Sequence, residues 1–169
     1  MLKAAFGKFD YTPPPGTRLG RLGVNIFIAQ GVHSPLEARV ALFDDGKRRI
    51  ALVALDQGFI SHTVTAILRA ALRDGAGVPP ENCLVAATHT HNAPALMSWR
   101  EDDNGFTLAD TLATRLRDLS RQLVTQLTPV ELQLIQTEAP GWSLNRRPIY
   151  RQTDGREWWC LSAGNDGSC

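Results

Sequence analysis

The chain has little net charge, no long apolar run and few cysteines. A formal net charge of +1 gives no reason to expect nucleic acid or an anionic membrane as a partner. No apolar run approaches the roughly 20 residues that a membrane helix needs, so no transmembrane segment is expected. The amino-terminal stretch 1–8 lacks the apolar core of a secretory signal, which favours a cytoplasmic protein.

The scarce cysteines and one absent motif argue against a Cys-x-x-Cys site and against one kind of serine nucleophile. Cys83, Cys160 and Cys169 cannot all pair, and none of them stands in a Cys-x-x-Cys spacing. Cys83 opens an apolar stretch and is predicted to be a small core residue. The sequence also lacks a Gly-x-Ser-x-Gly motif, so nothing supports a serine nucleophile of that kind.

What is present predicts an α/β fold, a mixed β-sheet with flanking helices in one domain. The predicted strands are 6–11, 38–43, 49–55, 83–90 and 130–137, and the predicted helices are 62–74 and 107–127. Asp44–Lys47 reads as a hairpin turn because Asp-Gly accepts positive φ. The almost wholly apolar strand 49–55 is expected inside the sheet, covered on both faces.

The strand–helix–strand order from 49 to 90 favours a parallel pairing of its two strands. Ser61 or Thr63 is expected to cap the intervening helix, and Gly75 is expected to close it. In helix 107–127, leucines recur at helical spacing and predict core packing.

The stretch 83–94 carries the candidate chemistry, because it runs from an apolar strand into His89 and His91. If the strand continues to His91, the spacing of two places both imidazoles on one side of the sheet. Histidine is the commonest metal ligand and titrates near neutrality. However, two histidines at a strand exit can also be hydrogen-bonded structural residues, and a catalytic zinc usually takes three protein ligands. Asp56, at the end of the 49–55 strand, is likewise either a cap or a site residue.

Several segments together resemble the N-terminal catalytic domain of neutral/alkaline (non-lysosomal) ceramidases and their bacterial relatives. They occur in the family's order and cover roughly residues 6 to 150, the Thr-His-Thr-His block being the most specific. The matching segments are Phe9-Asp10-Tyr11-Thr12-Pro13-Pro14, Gly31-Val32-His33-Ser34-Pro35-Leu36-Glu37-Ala38-Arg39, Val53-Ala54-Leu55-Asp56 and Ala87-Thr88-His89-Thr90-His91-Asn92-Ala93-Pro94.

The resemblance implies a zinc-dependent hydrolase of linear N-acyl amides, acting in sphingolipid metabolism on a small or lipid-like amide. His89 maps onto a zinc ligand, and His91 maps onto a residue beside the metal that assists substrate and oxyanion binding. The remaining candidates are expected in the substrate pocket or around the metal ligands, although the Asn-Arg turn can equally be structural. These candidates are His33, Asp56, Asn92, Asn145 and Arg146.

The chain departs from the family pattern downstream. Ceramidases complete the zinc site with a further histidine, a glutamate and a tyrosine, for which this sequence offers no counterpart. Residues 1–150 are therefore interpreted as the N-terminal part of a longer, incomplete domain, and 151–169 as an irregular tail, disordered or not native to the fold.

Three functions remain open from the sequence. They are a zinc-dependent amide hydrolase whose other ligands come from elsewhere, a catalytically silent truncated domain with weak or no metal binding, and a metal-independent hydrolase with His91 as base. Strand edges left unpaired by the missing segments are expected to offer a route to association.

Overall fold

The computed structural model of the chain describes residues 1–20, 27–94, 96, 105–141 and 149–159. The chain divides into two compact units, Met1–Glu131 and Leu132–Cys169. The strands are β1 (Lys3–Asp10), β2 (Arg18–Leu19), β3 (Phe27–Ile28), β4 (Glu37–Asp44), β5 (Arg49–Leu55), β6 (Cys83–Ala87), β7 (Thr128–Pro129), β8 (Ile149–Arg151) and β9 (Glu157–Trp159). The helices are α1 (His62–Ala76) and α2 (Gly105–Thr125), with a 3₁₀ turn at Pro80–Asn82.

The first unit contains the predicted mixed sheet, in the order β6-β5-β4-β1-β7. The β5–β6 pair is parallel and the other pairs are antiparallel, which confirms the α/β fold. The predicted hairpin joins β4 to β5, and Gly46 adopts the positive φ of 87° that its turn requires. The Asp44 carboxylate accepts a hydrogen bond of 2.7 Å from the Gly46 N–H and thereby fixes the turn.

Both helices pack on one face of the sheet and form a single core with it. Gly7 of β1 lies so close to α2 that an added Cβ would be 2.8 Å from Leu119 Cδ1. The recurring leucines of α2 enter this core as predicted, with Leu112, Leu116 and Leu123 fully buried. Cys83 is buried and free, which confirms its predicted role in the core.

The described residues of the first unit leave the opposite face of the sheet open, so the prediction that β5 is covered on both faces is wrong. Val53 and Leu55 are buried beneath the helices, whereas Leu52 on the other face is 41% exposed. The register places Phe6, Ala41, Leu52 and Leu84 side by side across four strands. The next row consists of Lys8, Arg39, Ala54 and Ala86, so the open face changes from apolar to charged along the strands.

Helix α1 begins as predicted but ends two residues later. The Ser61 hydroxyl accepts a hydrogen bond from the Val64 N–H, which confirms Ser61 as the N-cap. Gly77, not Gly75, is the C-cap, because it takes the left-handed conformation (φ 66°) and its N–H bonds the Arg73 carbonyl. None of the helices in the described residues is long and apolar enough to cross a membrane.

The predicted strand 130–137 is absent, and only the two residues of β7 pair with β1. Leu132 and Leu134 are 66% and 98% exposed, so the alternation there has no core to face. In the second unit β8 and β9 pair around a turn at Gly155. This hairpin differs from the irregular tail predicted from residue 151; positions 160–169 lie outside the described residues.

The edges of the five-stranded sheet are β6 and the short β7. Among the described residues, strand β6 pairs on one side only, with β5. The association through sheet edges stays a prediction.

Candidate functional site

The candidate site lies where β5 and β6 end, because parallel strands bring their carboxyl ends to the same edge of a sheet. Strand β6 ends at Ala87, so the prediction that the strand reaches residue 90 is wrong. The Thr88 N–H still bonds the Leu55 carbonyl at 2.9 Å, but β5 has ended and offers no further ladder. His89 then turns into the left-handed region with φ 69°, and no other non-glycine residue in the described part of the chain has positive φ.

His89 is held by the turn that follows β5. Its backbone N–H donates to the Gln57 carbonyl at 2.8 Å, and its Nδ1 lies 2.9 Å from the Gly58 carbonyl. Because a carbonyl only accepts, Nδ1 carries the proton and the neutral ring keeps a lone pair on Nε2. Phe59 packs edge-on against the same ring, with centroids 4.9 Å apart.

His91 lies beside His89 although neither residue is in a strand. The two ring centroids are 4.9 Å apart and the ring planes meet at 78°. The sequence therefore predicts the pairing of the imidazoles, but the loop after β6 produces it rather than the alternation of a strand. The backbone N–H of Asn92 bonds the Thr90 hydroxyl at 3.4 Å and tightens this loop.

A cavity of about 820 Å³ adjoins His91 and collects four of the predicted site residues, His33, Asp56, His91 and Asn92, whereas His89 is not among the residues that line it. Arg39 and the apolar side chains of Leu19 and Leu36 also line it. His33 is exposed, and its Nδ1 lies 2.8 Å from the Ser34 hydroxyl. The remaining two predicted residues, Asn145 and Arg146, lie outside the described residues.

The Asp56 carboxylate is already occupied by protein partners. It accepts hydrogen bonds from the Glu37 N–H at 2.9 Å and from the Arg39 guanidinium at 3.1 Å. Burial alone would raise the pKa of Asp56, but these hydrogen bonds outweigh it and hold the pKa below its ordinary value. Asp56 is therefore an ionised anchor between β4 and β5 at the cavity wall.

Tyr11 forms a hydrogen bond with the backbone of Asp56. It is buried, and its hydroxyl donates a hydrogen bond of 2.7 Å to the Asp56 carbonyl. Burial raises the pKa of Tyr11 well above its ordinary value, so the phenol remains a donor throughout the neutral range. Gln57, next along the chain, is also buried.

The arrangement of His89 suits a metal ligand, but a pair of imidazoles does not by itself make a zinc site. An imidazole whose Nδ1–H binds a carbonyl and whose Nε2 is free has the usual arrangement of a metal-ligating histidine. No group of three or more histidine, cysteine or carboxylate side chains is placed to hold a metal within the described part of the chain. A catalytic zinc ordinarily takes three such ligands. His89 therefore fits the role of a ligand, while the full donor set is not present among these residues.

The sequence analysis missed the residues that hold His89, namely Gln57, Gly58 and Phe59. All three directly follow Asp56 at the end of β5. The predicted parallel pairing of 49–55 with the histidine strand already placed these residues beside the histidines, so that pairing was the available signal.

No protein-family model matches the chain, and no curated protein matches it significantly in sequence. The fold is similar to that of solved neutral ceramidases. A crystal structure of the enzyme from Pseudomonas aeruginosa superposes with a TM-score of 0.57 at 24% identity, covering 76% of this chain and 22% of that one. A ceramidase complexed with C2 gives a TM-score of 0.56 with the same identity and coverage. The chain thus has a ceramidase-like fold and spans about a fifth of the length of these enzymes.

Proposed function

We propose that this chain carries the histidine part of the active site of a zinc-dependent N-acyl amide hydrolase of the neutral-ceramidase type. The observation that supports this most is the state of His89, whose Nε2 lone pair is left free by the Gly58 hydrogen bond beside His91. The ceramidase-like fold and the cavity beside His91 agree with it.

In this proposal His89 holds the metal through Nε2. Zinc bound there supplies a Lewis acid that polarises an amide carbonyl and acidifies water. His91, which lines the cavity, donates a hydrogen bond to the oxygen of the amide as negative charge develops on it. Asn92 and His33 lie on the cavity wall and contact the substrate, which is a linear and lipid-like amide.

A second candidate is a domain that performs no chemistry by itself. It is favoured by one observation, that the described residues offer two imidazoles where a catalytic zinc needs three protein ligands. The two candidates differ in what happens to zinc when a competing chelator is present.

The test is the zinc content of the purified chain after dialysis against a mild chelator, with His89→Ala as the site variant and His62→Ala as the matched control. His62 is exposed at the start of α1 and has no part in the proposed site. About one zinc per chain, lost in His89→Ala and kept in His62→Ala, supports the hydrolase. Zinc-dependent release of fatty acid from N-acyl amides is then expected. Absence of retained zinc in the unaltered chain favours the silent domain.

A further inference from the structure

The turn after β5 presents four successive backbone carbonyl groups, 55 to 58, and each of them accepts a hydrogen bond. The donors belong to three separate segments of the chain, which meet at this turn. Leu55 receives the Gln57 and Thr88 N–H groups, Asp56 the Tyr11 hydroxyl, Gln57 the His89 N–H, and Gly58 the His89 Nδ1–H. The backbone and the ring of His89 are therefore both fixed by this 55–58 turn.

His89 needs such support, because a non-glycine residue with positive φ is strained and persists only where its surroundings determine it. Two adjacent carbonyls of the 55–58 turn hold His89 in this conformation, because they accept hydrogen bonds from its backbone and from its ring. Gly58 lets the turn come close enough, since a Cβ on it would lie 3.0 Å from the Thr90 carbonyl oxygen.

Tyr11 is the distant member of this arrangement. It lies just beyond β1, reaches the turn through the Asp56 carbonyl, and is buried. The remaining donors to these four carbonyls come from the turn itself or from the loop that carries His89. Strand β4 also holds Asp56, through the Glu37 backbone and the Arg39 guanidinium, but it donates to none of the four carbonyls. In the described part of the chain, Tyr11 is thus the one donor to these carbonyls that lies outside the turn and the His89 loop.

We propose that Tyr11 is a positioning residue, whose hydroxyl fixes the 55–58 turn and thereby holds His89 as the Nδ1–H tautomer with Nε2 free. The inference rests on the proposed function in that it takes Nε2 of His89 as the metal-binding atom. Tyr11 itself contacts neither substrate nor metal in this proposal.

The experiment compares the unaltered chain with Tyr11→Phe, which keeps the ring and removes only the hydroxyl. Nitrogen-15 NMR of the histidine side chains at about pH 8.5, where an ordinary imidazole is neutral, reports which nitrogen carries the proton. The unaltered chain is expected to show one tautomer at His89. In Tyr11→Phe the ratio of tautomers should shift about fivefold, the factor that corresponds to the loss of one ordinary hydrogen bond. If zinc binds, its affinity should fall about tenfold.

Two further variants make the result decisive. Thr125→Val removes another hydroxyl that donates to a backbone carbonyl, that of Gln122 in α2, and should leave His89 unaffected. Gly58→Ala disturbs the turn directly and should release the tautomer even if Tyr11→Phe does not fold. A folded Tyr11→Phe chain with an unchanged tautomer overturns the proposal, whether or not Gly58→Ala shifts it. If only Gly58→Ala can be read and His89 keeps its tautomer there, the proposal is also overturned.

The same measurements separate this inference from the proposed function. A tautomer shift in Tyr11→Phe, in a chain that retains no zinc, leaves the positioning role in place and removes the hydrolase. If the unaltered chain retains zinc but the His89 tautomer is unchanged in Tyr11→Phe, the hydrolase is supported and the positioning role of Tyr11 is overturned.

Discussion

Gly75 of α1 packs directly against Ser120 of α2. A Cβ added to Gly75 would lie 2.0 Å from the Ser120 hydroxyl oxygen and 2.5 Å from the Arg117 carbonyl oxygen. The second of these atoms belongs to helix backbone and cannot move aside cheaply. Of the two glycines in α1 and its C-cap, Gly75 is therefore the one that lies closer to α2.

Gly75→Ala is expected to destabilise the chain by about 1–3 kcal/mol, the usual cost of overpacking. Alanine raises helix propensity by at most about 1 kcal/mol, so the collision outweighs the gain. The measurement is the free energy of unfolding in urea. Gly31→Ala is the matched control, because a Cβ there meets nothing within 4 Å. Equal stability of both variants would contradict the helix contact.

The same glycine shows why some predictions from the sequence were wrong. Glycine near the end of a helical pattern is typical of a C-cap, and that signal is local. The contact with Ser120 joins residues far apart in the chain, so no local pattern contains it. The hairpin at Gly46 was predicted correctly, and Ser61 was one of the two predicted N-caps, because a local signal determines each of these features.

In the candidate site, too, the features with a local signal in the sequence were predicted and the long-range contacts were not. The sequence predicts the two histidines and Asp56, because these side chains carry recognisable chemistry. It does not predict the carbonyl groups of Gln57 and Gly58 that hold His89, since any residue type has a carbonyl. The open face of β5 was missed for a related reason, as an apolar run does not say which of its faces a helix will cover.

The open face of the sheet predicts hydrophobic dye binding by the native chain. Leu52 and Leu84 are neighbours there and are 41% and 57% exposed. Replacing both with asparagine should lower the fluorescence of a bound dye such as ANS while changing the unfolding free energy by only about 0.5 kcal/mol per site. In contrast, Leu42→Ala, on the covered face and fully buried, should cost about 2–5 kcal/mol. Unchanged dye fluorescence in the double variant would mean that this face is not open in solution.

Acid should unfold the chain partly through Asp44. The Gly46 N–H and the Arg49 guanidinium hold the pKa of Asp44 below its ordinary value, which is about 3.9 in an unfolded chain. A depressed pKa stabilises the fold above about pH 4, and this contribution is lost as the pH falls through the folded-state value. Asp44→Asn should therefore be less stable at neutral pH and should lose less stability on acidification. If the unfolding free energies of the unaltered chain and of Asp44→Asn fall in parallel between about pH 6 and about pH 3, the contribution assigned to Asp44 is refuted.

Asp56 and His33 line the same cavity, but substitution of Asp56 should lower the stability of the chain, whereas substitution of His33 should change it little. Asp56→Ala leaves the backbone carbonyl in place for Tyr11, yet removes the carboxylate that accepts from the Glu37 N–H and pairs with Arg39. The Arg39 side chain is half exposed, which screens its share, so most of the expected loss of about 1–3 kcal/mol comes from the Glu37 hydrogen bond. His33→Ala removes an exposed ring that bonds only the neighbouring Ser34 among the contacts the structure gives, and its stability should change by no more than about 0.5 kcal/mol. Urea unfolding distinguishes the two. A stable Asp56→Ala chain would mean that the carboxylate contributes little to the fold, and Asp56 would then return to the list of substrate contacts.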